Sequence, residues 1–594
     1  MSPRDDQSAL QQRYQEERDK RIKNSAARSV QGLEGEFAGY LHDPFADTGF
    51  VRDPLHKEFD VVIVGGGIAG LLTAARLTQA GISRVCIVEK GADFGGAWYW
   101  NRYPGIACDT ESYIYLPLLE ETGYMPTRKY ASGLEILAYC RKVARHFALY
   151  DNALLQTEFK GAQWQEDTSR WIVRTDRQDV LSARFVVLIG NKLHRPQLPA
   201  IPGIKSFKGH SFHTSRWDYN YTGGDSRGGL TGLSDKRIGI IGTGATAVQC
   251  VPHLARWAKH LYVFQRTPAP VDVRNDRETD PQWAKSLKPG WQQERMDNFT
   301  AVVSGYDVDQ DLVCDGWTDL ARNVKLAAVR KLRAGEVIPD PDAVVQAADD
   351  ERMNRIRARI DATVRDKSTA ESLKPWYRQA CKRPGFHDQY LDTFNQPNVT
   401  LVDTRGKGIE SITTNAVVVD GKEYAVDCLV FATGFEYNSD FTRILGADIE
   451  GRGGLSLSRK WQDGAETFHG IASTGFPNAF FIGGMQIGYS PNFTHMLDIS
   501  ARQIASVIAQ ARLRNATTVE PTQEAENEWV ELIVKLSQAK EAVLRECTPG
   551  YINNEGVLDL RARKNRLYGG DTVSFLTRMD AWQKDGTFKG LRFV

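Results

Sequence analysis

The chain has 594 residues, 41% hydrophobic and 25% charged, with 75 Lys and Arg against 74 Asp and Glu. That length exceeds a single hydrophobic core and points to two or three domains, while the charge balance leaves no bulk field for nucleic acid or an anionic membrane. No apolar run approaches the roughly 18 residues of a membrane helix, and the start Met1-Ser2-Pro3-Arg4-Asp5-Asp6 lacks the apolar core of a signal peptide. The eight cysteines include no CxxC pair, which argues against a zinc site, a disulfide framework and a dithiol redox centre. The expectation is a reduced, cytoplasmic, soluble protein with no metal, no nucleic-acid partner and no membrane insertion.

Residues 1–57 form a polar N-terminal extension whose sparse apolar set, Leu33, Phe37, Tyr40 and Leu41, suits docking of one short helix. Its plainest reading is a surface arm without chemistry. From Phe59 to Glu89 the chain reads strand, tight turn, helix, strand. Val61 to Val64 is a short apolar run suited to a strand buried on both faces. Gly65 permits the sharp turn, Gly67 lets a pyrophosphate approach the backbone, and Gly70 lets helix and strand pack closely. Glu89 falls where an acid accepts hydrogen bonds from a ribose hydroxyl, so a dinucleotide site is expected here. Gly95-Gly96-Ala97-Trp98 suits a backbone lying against a flat ring system, and Asp109 is a carboxylate just beyond the rigid Pro104-Gly105 turn; composition alone makes both stretches ordinary loops.

Trp164 to Val173 suggests sheet strands, and Arg184 to Gly190 is a further buried strand. The proline-rich connector Pro196 to Gly203 then marks a domain boundary. A second dinucleotide unit begins at Arg237, with Gly242, Gly244 and Ala247 as a GxGxxA variant. Its next strand ends in Gln265-Arg266-Thr267-Pro268 rather than in an acid. An arginine there pairs with a 2′-phosphate, so the second nucleotide is expected to be NADPH. Two units imply two dinucleotides, and the natural pairing is a tightly held FAD with an exchangeable NADPH.

Residues 275–375 are charged and helical, with Met353, Ile356, Ile360 and Val364 on one apolar face that reads as core. Lys382-Arg383-Pro384 follows, a pair of cations that is usually a solvated surface feature, and Asn398 to Asp403 looks like a return strand. At Asp427 the chain is expected back in the first domain, where a strand runs into the small-residue turn at Gly434. Ala479 to Gly484 repeats that device, and helices follow at Asp498 to Leu513 and around Trp529, Leu532, Ile533 and Leu536. The tail from Thr548 to Val594 suits a packed cap or a mobile lid. The fold class is α/β, with two Rossmann-like dinucleotide-binding domains and a helical insertion in the second. The expected division is an extension at 1–57, FAD-binding segments at 58–205 and 426–594, the latter including a C-terminal cap, and an NADPH domain at 206–425.

Between the two glycine motifs, Phe207, Gly209, His213, Trp217 and Asp218 match every fixed position of FxGxxxHxxxW followed by Pro or Asp. From about residue 58 onward the chain therefore resembles a type I Baeyer–Villiger monooxygenase. The resemblance implies that NADPH reduces FAD, that O₂ adds to the flavin, and that the resulting peroxide anion attacks a ketone to give an ester or lactone. It places on Arg383 the arginine that stabilises the peroxide anion, and on Asp109 the acid that pairs with that arginine. It puts Lys382 beside Arg266 at the 2′-phosphate, Thr267 among the cofactor-binding residues, Gly96 and Trp98 at the flavin, and a conformational role on His213 and Trp217. Ile189-Gly190-Asn191 departs from the Ala-Thr-Gly usual in the family. The long extension is similar to that of members accepting bulky or polycyclic ketones. A flavin N- or S-hydroxylating monooxygenase shares both nucleotide motifs and is the nearest rival; a non-catalytic nucleotide-binding flavoprotein is the rival of another class.

Overall fold

The structure is a computed structural model that describes residues 3–23, 30–190, 192–333 and 335–594. Two sheets organise it. The first has eight strands among the described residues, built around His56–Val64 with Val85–Val88 on one side and Val180–Ile189 on the other, all parallel. Val61, Val62 and Ile63 are fully buried, as an apolar strand covered on both faces must be. The helix Ile68–Gln79 crosses back over this sheet and ends at Ala80, where Gly81 at φ +75° turns the chain. Its Arg76 makes a two-pronged ion pair with Asp498 on the helix Phe493–Leu513, fixing the two helices against one another.

The second sheet has five parallel strands in the spatial order Val399–Asp403, His260–Gln265, Arg237–Ile241, Cys428–Phe431 and His210–His213. This corrects one expectation. Cys428–Phe431 is not a return to the first sheet, since it pairs in register with Ile238–Ile241, and a boundary at 425/426 would sever it from its neighbours. A four-residue apolar strand carries no local mark of which sheet it joins. The chain regains the first sheet at Ile449–Glu450 and again at Ala479–Ile482, which pairs with Val186–Ile189.

The helical insertion forms as its periodicity predicts. Pro341 opens the helix Pro341–Thr363, Asp340 caps it by accepting from the Ala343 N–H, and Met353, Ile356 and Ile360 are buried. The N-terminal extension is more than a loose arm. Its helix Pro3–Lys23 is held through the Tyr14 hydroxyl, which donates to Asp350 and accepts from Arg357. Leu33 and Phe37 share a core with Ile241, Phe264 and Phe431 of the second sheet. At the other end, helices Gln523–Gln538 and Thr572–Lys584 pack Trp529, Ile533, Phe575 and Met579 together, and Leu591–Phe593 pairs with Val519–Pro521. The tail from Thr548 thus contributes a packed cap.

A second correction concerns the cysteines. Cys381 and Cys547 form a disulfide across 166 residues of sequence, against the expectation of a fully reduced chain. A pair so far apart leaves no spacing pattern to read. Among the described residues no helix is long and apolar enough to cross a membrane.

Candidate active site

A cavity of ≈ 2540 Å³ runs from the first glycine turn to the second, at the carboxyl ends of both sets of parallel strands. Gly65 lies at φ +112°, and a Cβ on Gly70 would meet the Gly65 carbonyl oxygen at 2.0 Å, so both glycines are required by geometry. Gly67 precedes the helix Ile68–Gln79, whose first N–H groups face the cavity end. Glu89 is buried, and its two carboxylate oxygens accept from the Gly66 and Gly91 N–H groups at 2.6 Å each. Burial pushes its carboxyl up while those two backbone donors pull it down. Gly96 stands across from Gly67, so close that a Cβ on it would lie 2.6 Å from the Gly67 Cα. Trp98 is buried, and its indole N–H donates to the Tyr115 hydroxyl at 3.0 Å.

The second turn repeats this backbone. Gly242 is also at φ +112°, and Gly244 caps the helix Ala245–Trp257 with Ala247 fully buried behind it. A Cβ on Gly244 would meet nothing within 4 Å, which leaves a cradle open to an approaching phosphate. The Thr243 hydroxyl donates to the Thr267 carbonyl at 2.8 Å and holds the Arg266–Thr267 bend beside the turn. Lys382 reaches the same end of the cavity, its Nζ donating to the Pro549 carbonyl at 2.7 Å. Burial, and then the neighbouring cations Arg266 and Arg21, bring its ammonium down to about 7. Lys382 and Arg383, an ordinary surface pair by composition and site residues by resemblance, both line the cavity.

Arg383 and Asp109, 274 residues apart in sequence, form a two-pronged ion pair, with Nη2 to Oδ1 at 2.6 Å and Nη1 bonded to Oδ2. Burial works against the guanidinium's charge, and the Asp109 carboxylate outweighs it, holding Arg383 above its ordinary value. Trp317, from the helical insertion, covers the pair; its ring lies 5.2 Å from the guanidinium carbon and its Nε1–H donates to the Asp109 carbonyl at 3.0 Å. Tyr437, Tyr489 and Tyr551 line the same region. Sequence reasoning missed Trp317 and these tyrosines. The Asp315–Thr318 capping box marks a helix start but gives no sign of what the next tryptophan covers.

His213 is fully buried on the edge strand beside Cys428–Phe431. Its Nδ1 accepts from the Ser215 N–H at 3.1 Å, which leaves the ring proton on Nε2, on the Gly434 side. Burial, with Arg216 adding to it, brings the imidazole down to about 3, so it is neutral. Trp217 is buried against Phe212, and its Nε1–H donates to Thr222 at 3.0 Å. Gly434, at φ +81° with open space where a Cβ would be, lies on the cavity wall, and its carbonyl accepts from the Gln197 N–H at 2.9 Å. Of the departure at Ile189-Gly190-Asn191, Asn191 lies outside the described residues. The open cradle at Gly244, the opposed glycines at Gly67 and Gly96, and the acid and cation ends of the two turns fit two dinucleotides of different charge.

Residues 63–123 match the NAD(P)-binding Rossmann-like domain family. Among curated relatives, neopentalenolactone D synthase of Streptomyces avermitilis is 51% identical over 583 residues, covering 98% of each chain. A Baeyer–Villiger monooxygenase of Stachybotrys chlorohalonatus is 49% identical over 590 residues, covering 99% of this chain and 94% of its own. The solved polycyclic ketone monooxygenase of Thermothelomyces thermophila superposes with a TM-score of 0.90 at 38% identity over 99% of both chains. A solved steroid monooxygenase bound to NADP gives a TM-score of 0.74 at 30% identity, over 90% of this chain and 99% of its own. Similarity of this degree across almost the entire length makes the chain a member of the Baeyer–Villiger monooxygenases, enzymes that use FAD and NADPH to insert oxygen beside a ketone carbonyl.

Proposed function

We propose that this enzyme converts a bulky cyclic or polycyclic ketone into an ester or lactone, with Arg383 and Asp109 as its catalytic pair. The observation that carries this is the doubly bonded Arg383–Asp109 ion pair, beneath Trp317, in a cavity that reaches both nucleotide turns. FAD, held through Gly65, Gly67, Gly70, Glu89, Gly96, Trp98 and Gly434 and reduced by NADPH, supplies the oxygen-transfer chemistry when bound. Arg383 presents a fixed guanidinium to the negative charge that develops on oxygen there, a preorganised donor that needs no rearrangement at the moment of reaction. Asp109 fixes its plane through two hydrogen bonds and offsets its charge. NADPH is read by Arg266, Thr267 and Lys382 over the turn of Gly242, Gly244 and Ala247. His213, which lies beside Gly434, and Trp217, which packs on Phe212 of the same edge strand, are assigned a conformational role.

The names of two relatives, pentalenolactone D synthase and ketocytochalasin monooxygenase, support a large substrate. Apolar area removed from water contributes about 25 cal/mol per Å², so fused-ring ketones should bind better than cyclohexanone. Oxygen is the co-substrate; a cytoplasmic site and the absence of nucleic-acid partners belong to the same proposal. A ketone panel scored for oxygenated product and NADPH oxidation together tests it. Lower KM for a steroid-sized ketone than for cyclohexanone is expected. Equal kcat/KM for the two, or no turnover of the larger, would sink the substrate assignment, and product from amines or sulfides alone would sink the reaction.

A further inference from the structure

The N-terminal helix does more than pack on the surface. Near its end, Arg21 is buried, and its Nε–H donates to the Thr267 hydroxyl oxygen at 2.8 Å, 246 residues away in sequence. Its Nη1 is clamped by the Glu17 carbonyl and the Glu17 carboxylate, each at 2.7 Å. Its stem lies against Gly406, where an added Cβ would come within 2.8 Å of Cγ. The guanidinium is therefore seated, on a helix that is itself pinned through Tyr14 to Asp350 and Arg357.

We propose that Arg21 is a positioning residue for NADPH specificity: it orients the Thr267 hydroxyl toward the 2′-phosphate and adds a third positive charge to Arg266 and Lys382. This rests on the reading of the second turn as the NADPH site. A hydroxyl has one proton to give. Because Arg21 donates to Thr267 Oγ1, that oxygen is already an acceptor and its own O–H is left to donate to a phosphate oxygen. The positive charge of Arg21 also acts at the site, since it is one of the groups that depress the Lys382 ammonium. Glu17 and the Asp403 carboxylate, which Arg21 also influences, are the acids that temper it. An extension that reads as a surface arm thereby becomes a part of cofactor choice.

The test is calorimetric titration of the FAD-loaded enzyme with adenosine 2′,5′-bisphosphate and with adenosine 5′-monophosphate, for Arg21→Gln, Arg21→Lys and Arg266→Ala. Arg21→Gln should weaken the bisphosphate about tenfold and the monophosphate less than twofold, with Arg21→Lys recovering part of the loss. If Arg266→Ala removes the preference for the bisphosphate and Arg21→Gln does not, Arg21 has no such role and the NADPH site stands. Should neither substitution matter, the site itself is misplaced and this proposal goes with it. Equal weakening of both nucleotides by Arg21→Gln would reduce Arg21 to a strut for the helix and overturn the proposal. Where the glutamine variant does not retain FAD, Arg21→Lys decides: about threefold loss on the bisphosphate alone supports the role, and no loss overturns it.

Discussion

The two glycine turns solve one backbone problem twice and then part company. Gly65 and Gly242 share φ +112°, and Gly67 and Gly244 cap their helices at φ −75°, ψ −174° and φ −77°, ψ −171°. Around the first turn the chain closes in: Gly96 presses on Gly67, Gly95 N–H donates to the Gly66 carbonyl, and Glu89 is tied down by two N–H groups. Around the second, Gly244 faces open space and the nearby side chains are the cations Arg266 and Lys382. Backbone geometry makes a phosphate site; enclosure and charge decide which nucleotide uses it and whether it is kept or exchanged.

The largest break in this comparison should come from the third small residue of each motif. Gly70→Ala drives a Cβ to 2.0 Å from a backbone oxygen that has nowhere to go, and should abolish flavin-retaining protein. The mirror change, Ala247→Gly, should cost only about 1 kcal/mol. Flavin absorbance per mole and the melting temperature of both variants check the contrast; a yellow, stable Gly70→Ala protein would refute it.

Between the two turns, Arg383→Ala should leave FAD bound yet lower ester formation by a factor of about 100 to 1,000, the about 2.7 to 4 kcal/mol of a lost preorganised donor. Near wild-type product formation would remove Arg383 from the chemistry. At the second turn, Arg266→Ala should cut the preference for NADPH over NADH tenfold to a hundredfold, from about 1.5 to 3 kcal/mol for a charged hydrogen bond. Equal use of both cofactors by the unmodified enzyme would count against the assignment.

The smallest effect sharpens the contrast of charge. Lys382 in the free protein loses its proton at about 7, and a bound 2′-phosphate raises that value. Affinity for NADPH should be full below pH 7 and fall a few-fold as pH rises through it, until the higher pKa of the complex is passed. NADPH KM measured from pH 6.5 to 9 checks this, and Lys382→Met should flatten the profile.

Much of this was legible in the sequence where the cause is local. Gly65, Gly67, Gly70 and Glu89 declare themselves because turn, helix and acid lie within one short stretch. Arg266 is readable by contrast with Glu89 at the equivalent strand end. Arg383 and Asp109 came from resemblance alone, since two residues 274 apart have no spacing to interpret. The placement of Cys428–Phe431 in the second sheet, the Cys381–Cys547 link, the Trp317 cover and the reach of Arg21 are all long-range pairings. Periodicity reports which face is apolar and says nothing of what will be laid against it.

The interleaving of the two sheets has a consequence for synthesis. Val180–Ile189 pairs with Arg170–Thr175 over its first half only, and the second half, Val186–Ile189, takes Ala479–Ile482 as its neighbour on that side. That partner emerges about 290 residues later. At roughly 5–20 residues per second, the apolar edge Val186-Val187-Leu188 waits on the order of 15 to 60 seconds on the ribosome. An unpaired, uncharged edge of this kind is a template for pairing with other chains. Fragments that stop before Ala479 should therefore collect in the insoluble fraction, however well their own glycine turns are formed.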